Sequence, residues 1–78
     1  MQYKDLVMYM VKSLVDNPDD VDIKEIEGEK SIILELRVLK EDIGKVIGKQ
    51  GRIARSIRTI LNASATKTGR RVSLEILD

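Results

Sequence analysis

The sequence has no cysteine and no histidine, which removes disulfides, thiol nucleophiles, cysteine–histidine zinc sites and imidazole acid–base chemistry together. It also lacks a long hydrophobic run. The apolar stretch Leu6 to Val11 is short, is bounded by Asp5 and Lys12, and is followed by no small-residue cleavage pattern. It reads as neither a signal peptide nor a membrane span, so no membrane association and a cytoplasmic location are expected. The only aromatics are Tyr3 and Tyr9. With no nucleophile–base pair and no metal-ligand cluster to assemble, the chain is not expected to be an enzyme or to need a cofactor.

What is present describes one small globular unit. At 78 residues, with 42% apolar and 35% charged side chains, the chain can build a single core spanning 1–78 and is well away from the composition of disordered segments. The net charge of +1 conceals an asymmetry. Residues 1–39 carry five Lys/Arg against nine acids, whereas residues 40–71 carry nine Lys/Arg against Glu41 and Asp42 alone. A basic half on a nearly neutral protein points to a polyanion docking on one face.

Apolar residues recur at helical spacing from Tyr3 to Val15, and Asn17-Pro18 stops the run. Met8 and Val15 fall at the margin of that stripe. Val21 to Glu27 reads as an edge strand whose alternation slips at Ile26, as a bulge would make it. Gly28-Glu29-Lys30 then turns the chain into a second strand, Ser31 to Leu39, with Ile32, Leu34, Leu36 and Val38 inward. Glu41 to Ile47 forms one or two helical turns. After Gly48 and Gly51 a longer helix follows, with Ile53, Ile57, Ile60 and Leu61 as its apolar face and its end near Gly69. Arg71 to Leu77 alternates again. The order α-β-β-α-α-β, with a hairpin first and a right-handed crossover later, predicts an α+β fold: a three-stranded mixed sheet with three helices on one face.

The informative segment lies between the two later helices. Gly44 and Gly48 stand four apart, on one face of the short helix, and Gly51 follows at the start of the next. Glycine is costly inside a helix, so three within eight residues are either a plain turn or an invitation to close backbone approach. The flanking charges favour the second. Lys45, Lys49, Arg52 and Arg55 bracket the loop, a helix amino terminus follows it, and Arg52 to Gly69 contains no acid. Phosphate is the natural ligand of such a combination.

The string Ile43-Gly44-Lys45-Val46-Ile47-Gly48-Lys49-Gln50-Gly51-Arg52-Ile53 resembles the signature of the KH domain, and the element order is similar to its bacterial, type II form. In that family a GXXG loop between two helices clamps about four nucleotides of single-stranded backbone. The resemblance maps Gly48 and Gly51 onto the loop glycines, Lys49 and Gln50 onto the variable pair, and Gly44 and Ile47 onto the preceding positions. It implies an RNA-binding site made of Gly44, Lys45, Ile47, Gly48, Lys49, Gln50, Gly51, Arg52 and Arg55. One position departs. Many KH domains carry a bulky apolar residue three places after the second loop glycine, where this chain has Ala54. Ile43 and Ile47 are candidates for the groove that receives the bases, or for the core.

A chain of this size resembles the small stand-alone bacterial KH proteins of the KhpA family. That resemblance implies a cytoplasmic RNA-binding protein and RNA chaperone, a post-transcriptional regulator linked to cell elongation and division, and a larger RNA-binding partner of the KhpB (EloR) type. Four nucleotides offer few phosphate contacts, so a homodimer or a heterodimer with such a partner is expected to supply useful affinity. The competing expectation is a protein-interaction or dimerisation module on a KH fold with little RNA binding of its own.

Other patterns fail on spacing. The stretch Gly44 to Gln50 lacks the glycine spacing and the Ser or Thr after lysine that a Walker A loop needs. Asp16, Asp19, Asp20 and Asp22 lack the EF-hand spacing and its central glycine, and read as a solvated acidic loop. Two tyrosines on the first helix cannot build the stacking platforms of RRM or OB-type binders.

Overall fold

The computed structural model describes residues 3–77. Its helices and strands are α1 (Tyr3–Lys12), β1 (Asp22–Glu27), β2 (Ser31–Arg37), α2 (Ile43–Ile47), α3 (Arg52–Thr66) and β3 (Arg71–Leu77), joined in part by single 3-10 turns. The order is the expected one. β2 is central, antiparallel to β1 and parallel to β3. The crossover from β2 to β3 runs through α2 and α3, and the three helices pack on one face of the sheet, as in the type II KH arrangement.

Period-two alternation is clearest in β2, where Ile32, Leu34 and Leu36 are buried. Register brings Leu34 beside Leu74 and Ile32 beside Val72, so the two parallel strands present a continuous apolar surface to the helices. α1 covers it with Val7 and Val11, α2 with Val46, and α3 with Ile57, Leu61 and Ala65. Leu34, Leu36, Val7, Val11, Val46 and Leu61 have no exposure, so truncating one of the leucines to alanine costs about 2–5 kcal/mol.

Four expectations need correcting. α1 ends at Lys12 rather than Val15: the Leu14 amide bonds to the Val11 carbonyl three residues back (2.9 Å), and the Ser13 hydroxyl competes for the Tyr9 carbonyl (2.8 Å). The helix tightens and stops before Asn17-Pro18. β2 stops at Arg37, two residues early. No bulge interrupts β1, whose pairing with β2 is continuous from Asp22↔Arg37 to Glu27↔Ile32. Ile26 breaks the alternation because it faces outward, opposite Ile33, as an apolar cross-strand pair on the outer surface.

The fourth concerns α3. Ile60 is 44% exposed, and the buried face is Ala54, Ile57, Leu61 and Ala65. Small alanines let α3 sit close to the sheet, which rotates Ile60 out of the core. Val15, by contrast, is buried, and Met8 packs against the core from its margin.

Candidate nucleic-acid interface

α2 has five residues, too few for a helix to hold itself together. Its inner side is fixed by Val46. Its amino-terminal end is fixed by Asp42, the one fully buried charged side chain among the described residues. Asp42 stands where a helix cap is expected but does not cap α2. It reaches instead to the connection after α1, accepting hydrogen bonds from the Asn17 side-chain amide (3.0 Å), the Asn17 backbone amide (3.1 Å) and the Asp16 backbone amide (3.3 Å).

Burial pushes the Asp42 carboxyl up. The hydrogen bonds from Asn17 and from the two backbone amides, with the nearby Lys45 charge, outweigh it and hold the carboxyl below the usual aspartate range. Lys45 Nζ lies 3.9 Å from Asp42 Oδ1 and pairs directly with the Asp16 carboxylate. The Asp16 hydrogen bond raises its pKa, against a lowering from burial. Lys45 was expected to serve the loop. The structure shares its ammonium between two carboxylates, so its charge is already largely compensated.

The carboxyl end of α2 is built differently. Gly48 adopts φ 77°, ψ 174°, a conformation open in practice only to glycine. Gln50 (φ 57°) and Gly51 (φ 74°) both take the left-handed conformation. Three of four consecutive residues thus have positive φ, and the chain reverses tightly, with the Gly51 amide bonded to the Gly48 carbonyl at 3.1 Å. A Cβ on Gly48 would lie 2.5 Å from Cγ1 of Ile53, so this glycine is required by packing as well as by dihedral. Gly51 needs glycine for its dihedral alone.

Gly44 has neither reason. It lies inside α2, is exposed, and an added Cβ would meet nothing within 4 Å. Its lack of a side chain answers to nothing inside the fold.

Lys49 and Gln50 form the exposed tip of the loop. Gln50 Oε1 accepts a hydrogen bond from Arg52 Nη2 at 3.3 Å, and no side chain caps the start of α3. Beside the loop runs a groove of about 400 Å³, lined by Ile47, Gly51, Ala54, Arg55, Arg58 and Ile76. Ala54, the position that departs from many KH domains, is among its lining residues and is almost fully buried. Ile47, 36% exposed, lines the groove, whereas Ile43 is half-buried outside it. Arg52, whose guanidinium reaches Gln50 at the loop tip, also borders another surface, an apolar cleft between α1 and α3.

Two groove residues escaped the sequence reading as site residues, Arg58 and Ile76. Arg58 Nε and Nη2 both donate to the Leu74 carbonyl, at 3.3 and 3.1 Å, which fixes the guanidinium against β3. Its position one turn beyond Arg55 on an acid-free helix was a usable signal. Nothing local in the sequence marks Ile76, which arrives through the parallel pairing of β3.

The profile described as "KhpA/KhpB, KH domain" matches residues 4–76. Over 74 residues, 95% of this chain and 90% of the other, the chain is 64% identical to the RNA-binding protein KhpA of Borreliella burgdorferi. It is 60% identical to the RNA-binding protein KhpA of Aquifex aeolicus over 75 residues, 96% of this chain and 95% of that one. The RNA-binding protein KhpA of Clostridium perfringens is 58% identical over 74 residues, 95% of this chain and 99% of its own length. No solved structure matches the chain.

Proposed function

From its membership of the KhpA/KhpB KH-domain family, to which this chain belongs, we propose that it is a single KH domain that binds single-stranded RNA through Gly48-Lys49-Gln50-Gly51. The observation that carries the reading is the pair of glycines around the loop. Gly48 shapes a reversal that exposes Lys49 and Gln50, while Gly44, without an internal reason to be glycine, leaves bare backbone one turn away. In this reading the sugar-phosphate backbone lies against Gly44 and the loop, Lys49 and Arg52 neutralise phosphates, and bases turn into the groove over Ala54 between Ile47 and Ile76. Arg55 and Arg58 border that groove and supply further donors. The activity is binding rather than catalysis.

The test is RNA cross-linking in cells and affinity in vitro with the double variant Lys49→Asp/Gln50→Asp. Affinity for short single-stranded RNA is expected to fall at least tenfold while the fold is retained. Wild-type RNA recovery by a folded double variant overturns the clamp. Three or four phosphate contacts also imply that log K falls with log salt with a slope of about −2 to −3.

A second reading, of a dimerising module, is favoured by a separate surface. Tyr9 (75% exposed), Leu14 and Ile60 border the apolar cleft between α1 and α3, which shares no residue with the groove. Both readings can hold in one molecule, as a homodimer or a heterodimer with a KhpB-type partner. Sedimentation of an Ile60→Asp variant separates them: a monomer with unchanged RNA affinity assigns that cleft to assembly and the loop to RNA. A post-transcriptional role in cell elongation and division, in the cytoplasm, completes the proposal. No helix among the described residues is long and apolar enough to cross a membrane.

A further inference from the structure

The groove beside the loop does not end at Arg58. The same arginine borders a second cleft of about 390 Å³, lined by Asn62, Arg71 and Ser73 as well as Arg58. Arg71 in turn borders a third hollow of about 350 Å³, with Lys30 and Ser31 on its far side. The three depressions therefore join through shared residues, Arg58 between the first and second and Arg71 between the second and third. The first two follow β3, an edge strand of the sheet, along its seam with α3, and the third lies at the amino-terminal end of β3 beside the start of β2.

The charges along this line are available. Among the described residues, Arg55, Arg58, Arg71 and Lys30 have no carboxylate within 4.0 Å, whereas the neighbouring Arg70 is spent on Glu27 at 2.9 Å. Arg58 is held in place by the Leu74 carbonyl, which leaves its remaining N–H groups free. Asn62 and Ser73 add neutral hydrogen-bonding side chains between the cations. Cations with polar groups between them are the electrostatic footprint of a polyanion strand, and the one acid of β3, Glu75, lines none of the three depressions.

We propose that RNA leaving the loop groove continues along this seam to Arg71 and Lys30, so that one chain binds a segment longer than the four-nucleotide clamp. The inference rests on the loop reading given above and extends it. From Ile76 to Arg71 the strand covers about 17 Å, room for at most about five further nucleotides at the stacked 3.4 Å spacing.

Amide chemical-shift titrations of the whole chain with mixed-sequence single-stranded RNA of four and of nine nucleotides test it, since they read even weak binding. The four-mer is expected to shift amides from Gly44 to Arg55. The nine-mer should also shift Lys30, Asn62, Arg71 and Ser73 and bind at least tenfold more tightly. Arg71→Gln should remove most of that gain and reduce the nine-mer salt slope by about 0.7, leaving the four-mer unaffected. Lys30→Gln serves as the second variant if Arg71→Gln does not fold.

A nine-mer that leaves the β3 amides unmoved, or that binds both variants as it binds wild type, overturns the extended path. If Lys49→Asp/Gln50→Asp leaves four-mer binding intact, the loop reading fails instead, whatever happens along β3. If neither RNA moves any amide, both fail together.

Discussion

The two ends of α2, a helix of only five residues, are held by opposite means. At the amino end a buried carboxylate gathers three hydrogen bonds and a lysine, tying the short helix to the α1–β1 connection. At the carboxyl end no side chain caps anything, and the chain turns through dihedrals that only glycine adopts freely. The contrast shows how a small domain leaves backbone bare without losing its shape: rigidity is concentrated on one side of the helix so that the other can remain uncovered.

Gly48→Ala should break that division most severely. It combines a forbidden dihedral with a contact of 2.5 Å to Ile53, and a loss of roughly 2–4 kcal/mol in urea denaturation is expected. Gly51→Ala, with open space around its Cβ, should cost about 1–2 kcal/mol. Equal losses at the two positions would sink the distinction drawn between them.

Asp42→Asn comes next. An asparagine keeps one acceptor oxygen but turns its NH2 toward groups that are themselves donors, so the thermal midpoint should drop on the order of 10 °C. The same carboxylate sets the acid sensitivity. Its folded pKa lies below its unfolded value of about 4, so its contribution is complete above that pH and is lost as pH falls through the folded value. Acid unfolding of wild type should steepen there, and the asparagine variant should show a shallower acid limb. Lys45 has the opposite sign: raised in the fold, it contributes fully at neutral pH and is lost only when alkali passes its folded value.

Gly44→Ala has the smallest effect on stability and the sharpest meaning. With nothing near its Cβ and helical surroundings, alanine should stabilise the fold by about 0.5–1 kcal/mol. RNA affinity should nevertheless fall, because the methyl group stands where backbone is expected to meet backbone. A stabilised variant with unchanged affinity would remove Gly44 from the interface.

The sequence was most legible where its signals were local. Alternation in β2 and β3, the Gly28 turn and the glycine pattern around the loop named the element order and the candidate clamp. It misled where an element's edge depends on packing. Ile26 looked like a bulge because alternation cannot distinguish an inserted residue from an outward-facing isoleucine, and Ile60 was placed in the core because a helical wheel does not know how closely alanines let the helix approach. Asp42 was invisible for a different reason. Its partners lie 25 and 26 residues earlier, and an aspartate ahead of a helix ordinarily reads as a cap. Ile76 reaches the groove by the same kind of long-range pairing.

The parallel pairing of β2 with β3 also has a consequence for the chain while it is being made. Ile76, the far wall of the groove, lies 25 residues after Gly51, and β3 joins a strand some 40 residues upstream of it. At about 5–20 residues per second, the ribosome delivers the clamp roughly one to five seconds before the strand that completes the groove. During that interval a growing chain carries the loop without the far wall of the groove, so under the proposed reading recognition waits until the last strand has docked.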